Sequence, residues 1–330
     1  MEITNILGVD VSKKTLDCYL YIQREQLESV ANTASGYKEI GRWLKKQCKK
    51  DMSGLLVVME HTGIYTYGIE AYLHSQGISY VKRPALDIKR SMGMIRGKSD
   101  TADARFISRY GWMRKEELMP TKPMDSSLLE LQQLMNYRDK LVSDRASYKA
   151  RIKELRGQLG PMLHTSIGES SDYIMEVLEA EIKAIEGVIK DLLKREEALQ
   201  ANYDLATSVT GIGFATAVHF IVATENFTRF SDARKLICYC GVAPFKHESG
   251  SSIRGRTKVS PLANQKLKSL LTMSAICAVR FDAGLKKKYE EKLAEGKHTM
   301  SVLNIIRAKL VERIFAVVKR GSKYEVRAAA

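Results

Sequence analysis

Long hydrophobic runs are missing from this sequence of 330 residues. No apolar stretch approaches the ~20 residues that cross a bilayer, so no membrane partner is expected. The start, Met1 to Val11, has no basic segment followed by a long apolar one, and no secretory signal is expected either. Cysteine is scarce and odd in number: Cys18, Cys48, Cys238, Cys240 and Cys277. Such a set argues against a disulfide framework and suits a reducing cytoplasm. Cys238 and Cys240 lie two apart, with no second cysteine pair and no histidine pair to complete a zinc site, and read as small apolar fillers. Acidic charge is the last deficit, since 38 Asp and Glu face 53 Lys and Arg for a net charge of +15.

That deficit is uneven. From Lys246 to the end there are 19 Lys and Arg against 7 Asp and Glu, a net of +12, which leaves +3 for everything before. A basic final quarter beside a nearly neutral remainder is the footprint of a polyanionic partner, nucleic acid first among them, with a merely solvated surface as the alternative.

The first third alternates between strand and helix patterns. Residues 5–12, 15–22 and 26–31 read as a meander of three strands. Ser35 can cap a helix running to about Lys50, with Ile40, Trp43 and Leu44 on one side. A continuous apolar strand, 55–60, suits a sheet centre. A helix at 67–75, a strand at 78–82 and a helix at 101–110 follow. This order is that of the ribonuclease-H-like fold. Two long helical stretches, about 124–157 and 171–200, flank a Gly160-Pro161 break and suggest an antiparallel arm or a dimeric coiled coil, or else a plain linker. The rest reads as helical. Thr210-Gly211-Ile212-Gly213 between two apolar helices has the pattern of a helix-hairpin-helix, in which Gly211 and Gly213 let backbone N–H groups approach a phosphate; a tight turn without DNA contact is the other reading. Residues 245–260 read as a polar, basic loop, with helices at 261–279, 282–294 and 299–318 after it. Three domains are expected: 1–115, 116–200 and 201–330.

Four carboxylates stand out. Asp10 interrupts an apolar strand, Leu7-Gly8-Val9-Asp10-Val11, which is costly unless the acid is paired or binds metal. Glu60 ends the fourth strand. Asp100 and Asp103 open a helix three residues apart and share a face. In the expected fold the four converge, and converging acids are relieved by hard divalent ions, Mg²⁺ or Mn²⁺, two of which can stabilise the attacking and leaving oxygens at phosphorus. Singly, Asp100 could cap its helix and Glu60 be a surface acid; Asp10 is the hardest to explain away.

Gly8-Val9-Asp10-Val11-Ser12-Lys13, Glu60-His61-Thr62-Gly63-Ile64-Tyr65, Lys98-Ser99-Asp100-Thr101-Ala102-Asp103-Ala104-Arg105, Gly211-Ile212-Gly213, Gly241-Val242-Ala243-Pro244 and the loop from Glu248 to Gly255 occur in one order along the chain. In these the sequence resembles the insertion-sequence transposases of the family numbered one hundred and ten, with a RuvC-like DEDD domain, a family that includes the Piv-type DNA invertases. The resemblance covers nearly the whole chain. It implies metal-binding acids at Asp10, Glu60, Asp100 and Asp103. It implies a nucleophilic serine at Ser249, a covalent serine–DNA intermediate, and a noncoding bridge RNA pairing with donor and target DNA. His61 stands where alanine is frequent, Thr210 where proline is, and Phe245-Lys246-His247 where arginine is denser.

A serine hydroxyl needs its proton removed, or a metal, before it attacks. The expectation is therefore a metal-assisted DNA transposase or recombinase. Arg254, Arg256 and Lys258 would hold phosphate or simply grip the backbone. Ser251 and Ser252 would form the turn. Asp10 and Ser249 lie far apart in sequence, so a dimer that pairs into a tetramer is expected, in the cytoplasm and on the nucleoid while active. A junction-resolving nuclease, in which the acids activate water instead, is the alternative. A binding protein without activity is a third reading.

Overall fold

The computed structural model describes residues 2–49, 51–91, 100–249, 253–259 and 263–325, with backbone alone at 100–102, 245–249 and 253–258. The chain divides into two compact units, Met1–Pro123 and Met124–Ala330.

The first unit is built on a sheet of five strands in the order β3-β2-β1-β4-β5. Its strands are β1 (Asn5–Val11), β2 (Thr15–Leu20), β3 (Glu25–Ala31), β4 (Leu55–Glu60) and β5 (Ser79–Arg83). The meander β1-β2-β3 is antiparallel, whereas β4 is parallel to both β1 and β5. Strands β1 and β4 occupy the centre, and their continuous apolar runs follow from burial on both faces. On one face, Tyr37, Ile40 and Leu44 of α1 (Ala34–Gln47) and Ile69 and Leu73 of α2 (Tyr67–Ser75) pack on Leu7, Val9, Val57 and Met59. On the other, Ile107 and Tyr110 of α4 (Asp100–Met113) and Ile88 of α3 (Ala85–Ser91) pack on Ile6, Leu56, Val58 and Val81. The short α3 has no counterpart in the sequence reading. Helix α1 begins two residues earlier than read: Thr33 is the N-cap, and Ser35, instead of capping, meets the Thr33 hydroxyl at 2.9 Å.

The second unit is helical apart from one hairpin. Helices α5 (Ser126–Leu159) and α6 (Thr165–Arg195) are antiparallel, as their cross-pairs show: Glu130 with Arg195, Arg138 with Glu186, Arg156 with Asp172. Gly160, at φ +50°, turns the chain between them. Helix α6 starts before the expected Ser171 and stops at Arg195, where Glu196 breaks the helix before α7 (Glu197–Thr207). Near that end Leu128, Leu131 and Met135 of α5 and Ile189 and Leu192 of α6 share a core with Val218, Ile221 and Val222 of α8 (Phe214–Ala223). A second core joins α7, α8 and α9 (Ala233–Tyr239) to α10 (Gln265–Phe281), α11 (Ala283–Ala294) and α12 (Thr299–Arg320). Cys240 lies buried in it, and burial pushes its thiol up to about 12.

The stretch 245–260, read as a loop, is largely a two-stranded antiparallel hairpin of β6 (Pro244–Ser249) and β7 (Ile253–Val259). Its polar composition hides the strands. The ladder is irregular between Phe245 and His247, which blurs the alternation further.

Candidate active site

Strand pleating decides where Asp10 points. Leu7, Val9 and Val11 belong to the core under α1 and α2, so Ile6, Gly8 and Asp10 face α4. By the same alternation Leu56, Val58 and Glu60 share that face. The parallel ladder pairs Val9 with Met59, which sets Asp10 and Glu60 side by side at the next position, where strand β4 ends.

Helix α4 lies unusually close to β1. A Cβ on Gly8 would stand 2.2 Å from the Ala104 carbonyl oxygen and 2.4 Å from the Ser108 nitrogen. One on Gly111 would meet Ile6 and Val58, each at 2.8 Å. The helix therefore runs antiparallel to β1, with Gly111 over residue 6 and Ala104 over residue 8. Its first turn, with Asp100 and Asp103, falls at the strand ends that carry Asp10 and Glu60. The backbone thus brings four acid positions to one end of one sheet face. The side chain of Asp100 lies outside the described residues, and among the described residues no three His, Cys, Asp or Glu side chains close into a metal-holding group.

Other residues fix this end of the sheet. Asn32 donates from Nδ2 to the Ser12 carbonyl at 2.9 Å, just past β1, and to the Tyr65 carbonyl at 3.0 Å, just past β4. Its Oδ1 accepts from the Tyr37 hydroxyl at 2.6 Å. One amide therefore braces the segments that follow both acid-bearing strands. After Glu60, the His61 N–H donates to the Arg83 carbonyl at 2.9 Å, and Gly63 turns the chain at φ +66°. Asp17 lies opposite Asp10 in the β1–β2 ladder, and its Oδ1 accepts from the Ser29 N–H at 2.7 Å. Neither Asn32 nor Asp17 is visible as a site residue in sequence, because each depends on cross-strand register. The guanidinium of Arg105 sits 5.8 Å from the Tyr19 ring centre, tying α4 to β2.

In the second unit, Ser249 is the last residue of β6 and pairs with Ile253, so it adjoins the connection between the strands. Glu248 pairs with Arg254 and Phe245 with Lys258, which puts Arg254, Arg256 and Lys258 along β7; their side chains lie outside the described residues. The base of the hairpin is tethered on both sides. Asn304 Nδ2 donates to the Val242 carbonyl at 2.8 Å, and the Asn264 N–H donates to the Tyr239 carbonyl at 2.9 Å. The two glycines before α8 differ. Gly211, at φ +92°, packs so tightly that a Cβ would stand 2.5 Å from the Ser274 carbonyl oxygen of α10. Gly213 is the N-cap of α8, makes no side-chain cap, and faces open space. Its neighbour Phe214 lies under Arg138 and Lys190, 6.0 and 5.4 Å from the ring centre. Behind it Asp139 receives Lys266 Nζ at 2.7 Å and His219 Nε2 at 3.0 Å. Burial alone would raise the Asp139 carboxyl, but these donors outweigh it and hold the group below the usual aspartate value.

Residues 7–161 match a DEDD transposase domain of the IS110 kind, and residues 203–290 match the domain described as transposase IS116/IS110/IS902 family. The pilin gene-inverting protein of Moraxella bovis is 26% identical over 97% of this chain and 98% of its own length. The protein of the same name from Moraxella lacunata matches to the same extent, 26% over 97% and 98%. A 43.6 kDa protein of insertion element IS110 from Streptomyces coelicolor is 29% identical over 47% of this chain and 39% of its own. Among the described residues no helix is long and apolar enough to cross a membrane.

Proposed function

Because the chain belongs to the IS116/IS110/IS902 family of transposases, we propose that it cuts and rejoins DNA through a covalent link to Ser249. In this reading the first unit is a ribonuclease-H-like, RuvC-like domain whose Asp10, Glu60, Asp100 and Asp103 bind Mg²⁺ or Mn²⁺. The observation that carries it is the meeting of β1, β4 and the first turn of α4 at one end of one sheet face. The donor chemistry fits, since carboxylate oxygens are the ligands hard divalent ions prefer. Cations held there would neutralise charge at the scissile phosphate, one or two ions serving the attacking and leaving oxygens.

The serine supplies the covalent step. Its Oγ gives up its proton and bonds to phosphorus. The phosphorus–oxygen bond to the DNA breaks, and the departing DNA oxygen takes a proton. Attack by a hydroxyl of another DNA end then reverses the step and frees the serine. Each phosphodiester is exchanged for another, so no ATP is consumed. Placement of Ser249 at the end of β6, on a hairpin tethered at its base, supports the role. Arg254, Arg256 and Lys258 grip phosphate along β7. The open N-terminus of α8 at Gly213 supports a helix-hairpin-helix contact to the backbone. Gly211 serves that turn by packing. We extend the reading to a bridge RNA that pairs with donor and target DNA. We extend it also to a dimer that assembles into a tetramer through a coiled coil of α5 and α6, in which Tyr173 and Val177 of α6 are exposed, as is Met162 in the turn between the two helices.

The test of the acid set uses full-length protein with donor DNA, target DNA and the RNA transcribed beside the gene, with Mg²⁺, with Mn²⁺ or with chelator. Strand exchange that needs either ion and disappears in Asp10→Asn and Glu60→Gln is expected. Exchange that persists in chelator, or in both variants, overturns the metal role.

A further inference from the structure

A cleft of about 400 Å³ runs from the end of β5, beside Glu60, along the C-terminal part of α4, and the proposed chemistry does not use it. It is walled by Arg83 at the end of β5, Asp87, Arg90 and Ser91 of α3, and Tyr110 and Arg114 of α4, with Glu117 and Leu118 beyond. Three guanidinium groups face two carboxylates. Arg114 is partly engaged, pairing with Glu117 at 2.9 Å. Arg83 and Arg90 make no ion pair among the described residues. The Arg83 Nε is also shielded from solvent without a hydrogen-bond partner. A guanidinium held half out of water with no counter-ion is costly unless an anion completes it.

Its position names the anion. Arg83 is the ladder partner of Glu60, one strand over. Val81 belongs to the face under α3 and α4, and pleating returns Arg83 to that face, where Glu60 also points. A strand with its scissile phosphate at Glu60 would carry a neighbouring phosphate across this cleft. The planar fork of arginine matches phosphate oxygens in pairs, which a lysine patch would not do.

We propose that Arg83 and Arg90, with Arg114 at the rim, form a grip for a backbone phosphate of the nucleic-acid strand that passes the acid end of the sheet. The proposal rests on the function proposed above and adds a binding site to it. Asp87 faces the same space and repels an anion beside it, so the phosphate is held on the Arg83 and Arg90 side of the cleft.

The experiment follows binding of labelled single-stranded DNA, duplex DNA and single-stranded RNA to the full chain as salt is raised. It compares wild type, Arg83→Gln, Arg90→Gln, the double variant, and Lys149→Gln, an exposed control in the other unit. Each cleft substitution should make the slope of log affinity against log salt shallower by roughly 0.9 on duplex or 0.7 on single strands. The nucleic acid that shows the change identifies the strand gripped. Arg90→Lys, which keeps charge but loses the fork, should restore the slope but only part of the affinity. Arg90 is exposed, so its variants test the site even if Arg83→Gln does not fold. If wild type binds and the cleft variants behave like Lys149→Gln on all three ligands, the grip is wrong while the recombinase reading stands. If wild type binds none of them, both fall. Saturable binding of inorganic phosphate, lost in Arg90→Gln while nucleic-acid affinity is unchanged, would make this a small-anion site and overturn the proposal.

Discussion

The two units fix their key residues by opposite means. In the first, a hydrogen-bonded ladder sets Asp10 beside Glu60, and close contacts at Gly8 and Gly111 bring α4 down on the sheet. In the second, Ser249 stands at the end of a hairpin whose base alone is tethered, and polar groups buried between helices hold the scaffold together. Ladder register leaves the acids little freedom, which would suit the ion sharing proposed for them. The hairpin end would, on the same proposal, let Ser249 reach from one DNA strand to another. The first unit should therefore be sensitive to added volume, and the second to lost polar partners.

The largest effect on stability is expected where that contrast is sharpest. Asp282 is 1% exposed, caps α11 through the Leu285 N–H, and pairs with Arg313. Its Oδ2 also lies 3.4 Å from the Tyr324 hydroxyl, which holds down the chain beyond α12. Asp282→Ala leaves the partly buried Arg313 guanidinium without its carboxylate and removes the α11 cap, and should cost about 3–5 kcal/mol in urea unfolding. Gly8→Ala forces a methyl into the α4 backbone and should cost about 1–3 kcal/mol or more, together with activity, because the helix that carries Asp100 and Asp103 must lift. A Gly8→Ala protein with unchanged stability and exchange would break the comparison. Asn32→Ala should be mild in stability, about 1 kcal/mol. It should nevertheless lower strand exchange at least several-fold, because the amide braces the segments that follow both acid-bearing strands.

The smallest effect is one of pH. The Asp139 carboxyl is held below its usual value of 3.8, so its contribution is present above that value and fades as pH falls through the lower value in the folded protein. Melting temperature between pH 5 and roughly pH 3 should fall less steeply in Asp139→Asn than in wild type, although the variant starts lower. Parallel curves would show that the cluster with His219 and Lys266 contributes nothing through ionisation.

Much of the first unit was legible because its physics is local. Doubly buried strands read as unbroken apolar runs, and 55–60 has the bounds read from sequence. Asp10 was conspicuous because it interrupts such a run. What escaped depends on partners distant in sequence. Asp17 and Asn32 acquire meaning only from register and from two loops brought together. Arg83 is one basic residue among many until the ladder sets it beside Glu60. The hairpin was hidden because its strands are polar, so no apolar alternation marks them. The break at Glu196 was hidden because the helical pattern continues across it. Ser249 rests on resemblance alone; nothing in its own neighbourhood of the sequence marks it as a nucleophile.

The most direct test of the central claim is a denaturing gel of labelled donor and target DNA incubated with full-length protein, the adjacent RNA and Mg²⁺, comparing wild type, Ser249→Ala and Asp10→Asn. DNA covalently attached to wild-type protein and absent from both variants is the predicted result. Cleavage without attachment, surviving Ser249→Ala and lost in Asp10→Asn, would contradict it and make the acids the centre of a hydrolytic nuclease.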